Sequence, residues 1–186
     1  MTEPDGTKIR QIVAPQGASI RWMTASTCPS CGRELTAHER DVRFSLPDPV
    51  LNLPEREETD GFWMSGPSAS ESVMMQVPAM GAFVRALLTV QLTGGYSVRF
   101  GVWVGVHPND LQHAAKVWWK PEYAELRLSG RLANAVEPWG MLAAPVELAV
   151  LDSDVSPWCV ASSDELLSAV LGREWDHQLV LDSLPA

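Results

Sequence analysis

Basic residues, cysteines and aromatic rings other than tryptophan are all scarce in this chain of 186 residues, and each scarcity excludes something. Lys and Arg number 14 against 23 Asp and Glu, for a formal net charge of -9 and a pI near 4.8. Such a balance repels phosphate backbones, and without a basic stripe there is no electrostatic footprint for nucleic acid or an anionic membrane surface. A cationic protein partner and self-association are the partner classes left open. Three cysteines do not build a disulfide framework. No apolar run approaches the roughly 20 residues that span a bilayer, since the uncharged stretch 73–84 is interrupted by Pro78 and Gly81. The N-terminus, Met1-Thr2-Glu3-Pro4-Asp5-Gly6, lacks the basic flank and apolar core of a signal peptide, so a cytoplasmic location with reduced thiols is expected.

Catalytic signatures are missing too. There is no G-x-S-x-G elbow, no H-E-x-x-H, no phosphate-cradling glycine loop followed by Lys-Ser/Thr, and no G-x-G-x-x-G after a strand. What is present is Cys28-Pro29-Ser30-Cys31-Gly32, two thiols at the spacing of a zinc-holding turn, with glycine after the second. A second ligand pair, CxxC or CxxH, does not follow. Cys28, Cys31 and His38 supply three soft ligands where a structural zinc site needs four. Cys159, His107, His113 and His177 are the remaining candidates, and spacing selects none of them. Structural zinc, an empty turn and a redox dithiol therefore stay open, although the strand-to-helix setting of a thioredoxin-like motif is absent around Cys28. Water as a fourth ligand would make the site resemble a catalytic one.

Along the chain, residues 1–20 read as a loose tail and 21–186 as a single domain, with its CxxC turn at 28–38. Three prolines within residues 44–54 exclude a central strand or helix and predict an ordered loop, and the charged stretch 55–60 reads as solvated surface. From Tyr96 to Val106 apolar residues alternate with Ser97, Arg99, Gly101, Trp103 and Gly105, the mark of a strand with one buried face. Val84, Ala86, Leu88, Val90 and Leu92 share one parity just before it, and Gly94-Gly95 suits a two-residue turn between the runs, predicting a long β-hairpin. Residues 73–77 would add an edge strand. A helix is expected from Pro108 to before Pro121, another strand over 145–151, and a helix capped by Ser163 and ending at Gly172. The expected fold class is α+β, a largely antiparallel sheet built on the hairpin, with flanking helices and an N-terminal CxxC knuckle.

With the CPSCG turn, Phe44-Ser45-Leu46-Pro47-Asp48-Pro49-Val50, the strand Gly101-Val102-Trp103-Val104 and Gly130-Arg131-Leu132-Ala133-Asn134 in that order, the chain resembles a bacterial family known as domain of unknown function number 2199. The resemblance extends over about residues 27–184. It implies an α+β domain opened by a CxxCG turn with a histidine soon after, and it implies no activity. Cys28, Cys31 and Gly32 match the first motif, while His38 lies seven residues beyond Cys31, farther than the family's histidine tends to lie.

Eight tryptophans accompany only two tyrosines and four phenylalanines. Trp103 lies on the parity opposite the strand's apolar face, and Trp118 and Trp119 cannot both point inward from one helix. A second covering layer would bury these rings; otherwise they form an interaction surface. Asp176-His177 reads as a surface pair near the C-terminus. The sequence thus favours an uncharacterised cytoplasmic binding or interaction protein with a CxxC turn, with zinc as its one candidate cofactor. The alternative is a zinc-dependent enzyme using Cys28, Cys31 and His38 with an open coordination position.

Overall fold

A computed structural model describes residues 27–51, 53 and 61–184. The expected tail over 1–20, Trp22 and the charged stretch 55–60 lie outside these residues. A 3₁₀ turn (Leu35–His38) leads to strand β1 (Arg40–Arg43) and the single helical turn α1 (Asp48–Leu51). Strands β2 (Trp63–Met64), β3 (Met74–Val77), β4 (Gly81–Leu92) and β5 (Tyr96–Val106) follow, then helix α2 (Pro108–Val117). Strands β6 (Arg127–Leu132), β7 (Pro145–Ala149) and β8 (Trp158–Ala161) precede helix α3 (Glu165–Gly172), strand β9 (Glu174–Trp175) and helix α4 (His177–Ser183).

The apolar alternation of β4 and β5 organises the rest. They pair antiparallel from Ala82↔Val106 to Leu92↔Tyr96, so Val84, Ala86, Leu88 and Val90 face Val104, Val102, Phe100 and Val98 on one buried surface. The connection is three residues, Thr93-Gly94-Gly95, rather than two, with both glycines at positive φ. The sheet then closes on itself. β5 pairs with β6, β6 with β7, β7 with β8, and β8 returns to β4 at Leu87↔Trp158, forming a five-stranded barrel. Closure was no part of the expected, largely antiparallel sheet. The closing contact is a parallel one between strands 71 positions apart (158 - 87), and no local pattern encodes it. Closure removes the exposed edges of these strands. β1 and β9 add parallel pairings to β5 and β4, and β3 with β2 extends from β4, so β3 is not the edge.

Gly130 permits the tightest of these crossings. A Cβ there would sit 2.4 Å from the Gly105 carbonyl oxygen and 2.6 Å from Val104 Cγ1, so any side chain would push β6 off β5. Helix α2 starts as its sequence predicts, with His107 Nδ1 accepting from Asn109 N at 3.2 Å. Leu111, Ala114 and Trp118 of this segment, Leu167 and Val170 of α3, and Val180 and Leu181 of α4 join the barrel interior. For α3 the capping residue is Asp164 instead of Ser163: its Oδ1 accepts from Leu167 N at 2.9 Å.

A second layer lies on the outer face of the hairpin. Leu46, Val50, Met75, Val77, Phe83, Trp103 and Ala133 form a separate buried cluster, which is how Trp103, on the outward parity, comes to be fully buried. The proline-bearing segment, described over residues 44–51, packs on this cluster and includes the turn α1. Asn134 fixes it, donating to the Leu46 carbonyl and to Asp48 Oδ1, each at 2.8 Å, while its own oxygen accepts from Trp103 N. Trp118 is buried against Tyr123, whereas Trp119 is 85% exposed.

Arg85 is the polar centre of this layer. Its guanidinium lies 4.2 Å from the Trp103 ring centroid and donates to the carbonyls of Ser72, Phe44, Gly101 and Ala69 within 3.2 Å, and to Ser45 at 3.5 Å. All five donors are engaged, and no carboxylate pairs with it among the described residues. Burial, helped by the nearby charge of Arg43, lowers its pKa to about 10, which leaves it protonated at neutral pH. Carbonyl dipoles and an aromatic face therefore carry a buried charge that would otherwise be costly. Arg85→Met strips their donor from the carbonyls of Ser72, Ala69 and Phe44 at once and should destabilise by about 3 kcal/mol or more in chemical denaturation. Arg85→Lys, with three donors for five acceptors, should recover only part of this. A loss below about 1 kcal/mol for the methionine variant would show that the network contributes little.

Candidate metal centre

The CPSCG segment folds into a knuckle. Thr27 and Glu34 form an isolated antiparallel bridge, Cys28 N donates to the Arg33 carbonyl at 2.7 Å, and Gly32 N donates to the Cys28 carbonyl at 2.8 Å. Gly32 takes φ +72°, the left-handed conformation that lets the chain reverse after the second thiol, hence glycine here. The backbone N–H groups of Cys31 and then Ser30 are the main influences that lower the Cys28 thiol pKa to about 7, burial opposing them. The knuckle thus favours the thiolate, the form that ligates metal.

Two histidines meet the thiols from opposite ends of the sequence. His38 closes the 3₁₀ turn and is fully buried; its Nδ1 is 3.1 Å from the Glu34 carbonyl, which can only accept, so the proton is on Nδ1 and Nε2 carries a free lone pair. That Nε2 lies 3.3 Å from Cys31 Sγ. His177 opens α4 behind its cap Asp176, whose Oδ1 accepts from Leu179 N. His177 Nδ1 is 2.8 Å from Thr93 Oγ1, in the turn of the hairpin, and its Nε2 lies 3.7 Å from Cys28 Sγ. With Nδ1 protonated toward Thr93, this Nε2 is free as well. The four ligand atoms all lie within 4.8 Å of one another. A tetrahedral zinc site has S···N edges of about 3.6 Å from its bond lengths, and the two short contacts, 3.3 and 3.7 Å, bracket that value.

The surroundings hold these side chains in place. Tyr96, first residue of β5, has its ring 4.6 Å from that of His38 and 6.5 Å from that of His177. An ion pair between Arg33 and Asp182 ties the knuckle to α4 a second time. Cys28, His38 and His177 are buried and Cys31 is half-buried. Cys28, Cys31, His38 and His177 lie close enough to hold a metal ion.

The other candidates stand elsewhere. His107 caps α2, His113 is exposed on it, and Cys159 is buried in β8, where burial pushes its thiol up to about 12. His177 is not the surface residue its position near the C-terminus suggests, because it belongs to the buried stripe of α4. His177, Val180, Leu181 and Leu184 recur at helical spacing, and that periodicity is the signal that points to it. Asp176 is engaged as a cap and forms no acid–base pair with its neighbour. Glu34 and Glu39 are exposed and outside the ligand cluster.

A family model described as an uncharacterized protein conserved in bacteria, domain of unknown function 2199, matches residues 27–158. The chain belongs to this family. The match begins at the knuckle and takes in Cys28, Cys31 and His38, but it ends at Trp158, short of the 184 expected and short of His177. For this DUF2199 protein no curated protein and no solved structure gives a match. Among its described residues no helix is long and apolar enough to cross a membrane.

Partners that orient a ligand histidine commonly account for 10- to 100-fold in metal affinity. Thr93→Val should therefore weaken metal binding by about that factor while leaving the fold in place, and Thr93→Ser should restore it, as competition with a chromophoric chelator would measure. Unchanged affinity in the valine variant would remove Thr93 from the site.

Proposed function

We propose that Cys28, Cys31, His38 and His177 bind one zinc ion in a closed structural site, and that the protein is a non-catalytic binding domain which the metal holds in shape. The single observation that carries this reading is the fourth donor. His177 Nε2, 3.7 Å from Cys28 Sγ, would fill the position that an enzyme keeps open for water or substrate. Two thiolates and two imidazoles in tetrahedral reach suit zinc above harder cations. The ion would join the knuckle to α4 across 149 residues of chain. Cross-linking a span of that length removes on the order of 5 kcal/mol of chain entropy from the unfolded state.

The zinc-enzyme alternative needs a metal-bound water beside a carboxylate, and the exposed Glu34 and Glu39 stand outside the cluster. Free thiols suit the reducing cytoplasm, and a net charge of -9 suits a cationic protein partner. Protein purified under reducing, zinc-replete conditions should contain about one zinc equivalent. His177→Ala, or chelation, should lower the thermal midpoint by on the order of 10 °C. Metal-free protein with an unchanged midpoint would overturn the proposal, and a zinc-loaded His177→Ala variant of full stability would reopen the enzyme reading.

A further inference from the structure

The two thiols of the knuckle differ in their access to solvent. Cys31 is half-buried, whereas Cys28, His38 and His177 are buried, and Pro29 and Ser30 between the cysteines are exposed. Cys31 is thus the most open of the four clustered residues to a small reagent. Its sulfur has that of Cys28 within 4.8 Å, and the bond from Gly32 N to the Cys28 carbonyl folds the segment into one turn that keeps the pair together. The third thiol of the chain, Cys159, belongs to the barrel core and stands outside the cluster, which leaves Cys28 as the partner for Cys31 within one molecule.

A bond between these sulfurs would undo what a metal does here. Thiolates ligate metals, and a disulfide sulfur has no charge to offer one. The disulfide would close only the short loop 28–31, whereas the metal would join Cys28 to His177, 149 positions away. The constraint a cross-link places on the unfolded chain grows with the loop it closes, so the exchange gives up most of it. The backbone bonds of the knuckle join Thr27 to Glu34, and Cys28 to Arg33 and Gly32, all within the segment, so the turn itself persists. What then ties it to α4 is the ion pair of Arg33 with Asp182, whose side chains are 35% and 57% exposed, and such surface pairs contribute little.

We infer that the knuckle is a reversible redox latch: a peroxide oxidises Cys31 and Cys28 to a disulfide, the metal leaves, and the knuckle is released from α4. The inference rests on the zinc reading above and adds regulation to it. With hydrogen peroxide, the Cys31 thiolate attacks one oxygen; an S–O bond forms, the O–O bond breaks, and the departing hydroxide takes a proton from solvent to become water. The Cys28 thiolate then attacks the Cys31 sulfur, forming the S–S bond and expelling the remaining oxygen as hydroxide, which is protonated in the same way. Two thiolates have lost two electrons, and one peroxide has gained them as two waters. His38 and His177 stay behind, their Nδ1 atoms still held by the Glu34 carbonyl and by Thr93.

Hydrogen peroxide in small molar excess over the zinc-loaded full chain, with a chromophoric zinc indicator present, tests this. The expected result is release of the bound zinc in step with a peptide holding Cys28 and Cys31 that is two hydrogens lighter. The thermal midpoint should fall to that of chelator-treated protein, and hydrogen exchange should quicken in the knuckle and the first turn of α4 but not in β4 and β5. A thiol reductant with added zinc should restore both, and Cys159→Ala should respond as the native protein does. A sulfenic-acid trap such as dimedone should label Cys31 in preference to Cys28. Zinc retained with both thiols unmodified, release with Cys31 carried irreversibly to the sulfinic acid, or a disulfide through Cys159 would overturn the latch and leave the zinc site standing. Protein that never held zinc would overturn both.

Discussion

Both edges of the β4–β5 hairpin, its inner face and one end of its outer face are occupied, and that constraint determines where everything else in the molecule goes. The inner face supplies the barrel core through Val84, Leu88, Phe100 and Val102. On the outer face, Trp103 and Phe83 require a second layer over one end. Along the edges, β6 and β1 divide β5 between them, and β3, β8 and β9 divide β4. A hairpin alone is marginal in water; this one gains stability from the partners that close around it. Arg85 is the polar counterpart of that closure, binding carbonyls of the 44–45 and 69–72 segments to the strand from which it projects.

The candidate metal centre is built at the turn of the same hairpin. Thr93 and Tyr96 come from its tip, the thiols and His38 arrive from the N-terminal side, and His177 enters on α4 directly after β9 has paired with Leu92. The ends of the described chain therefore converge on a point that the hairpin fixes. Loop-closure entropy opposes joining residues so distant, which is where a metal cross-link contributes most.

Local alternation made β4 and β5 legible in the sequence, because period-two patterning over eleven or twelve residues has one physical reading. His107-Pro108 and its apolar spacing made α2 legible for the same reason. Barrel closure was not, since it depends on a parallel contact at Leu87 and Trp158 whose partners share no local signal. Three of the four clustered side chains, Cys28, Cys31 and His38, were visible as a candidate set in their spacing. His177 was hidden by distance, and its clue lay in helical periodicity, Val180, Leu181 and Leu184 placing it on a buried stripe. Trp103 appeared as a candidate surface ring because its parity was outward; Leu46 and Val50, which help cover it, belong to a segment that read only as a proline-rich loop.

X-ray absorption at the zinc edge of the purified protein tests the central claim most directly, because it reports the first coordination shell. Two sulfur neighbours near 2.3 Å and two imidazole nitrogens near 2.0 Å are predicted, with His177→Ala losing the outer-shell scattering of one imidazole ring. A shell holding an oxygen in the native protein, a different count of sulfurs, or no zinc at all would contradict the account.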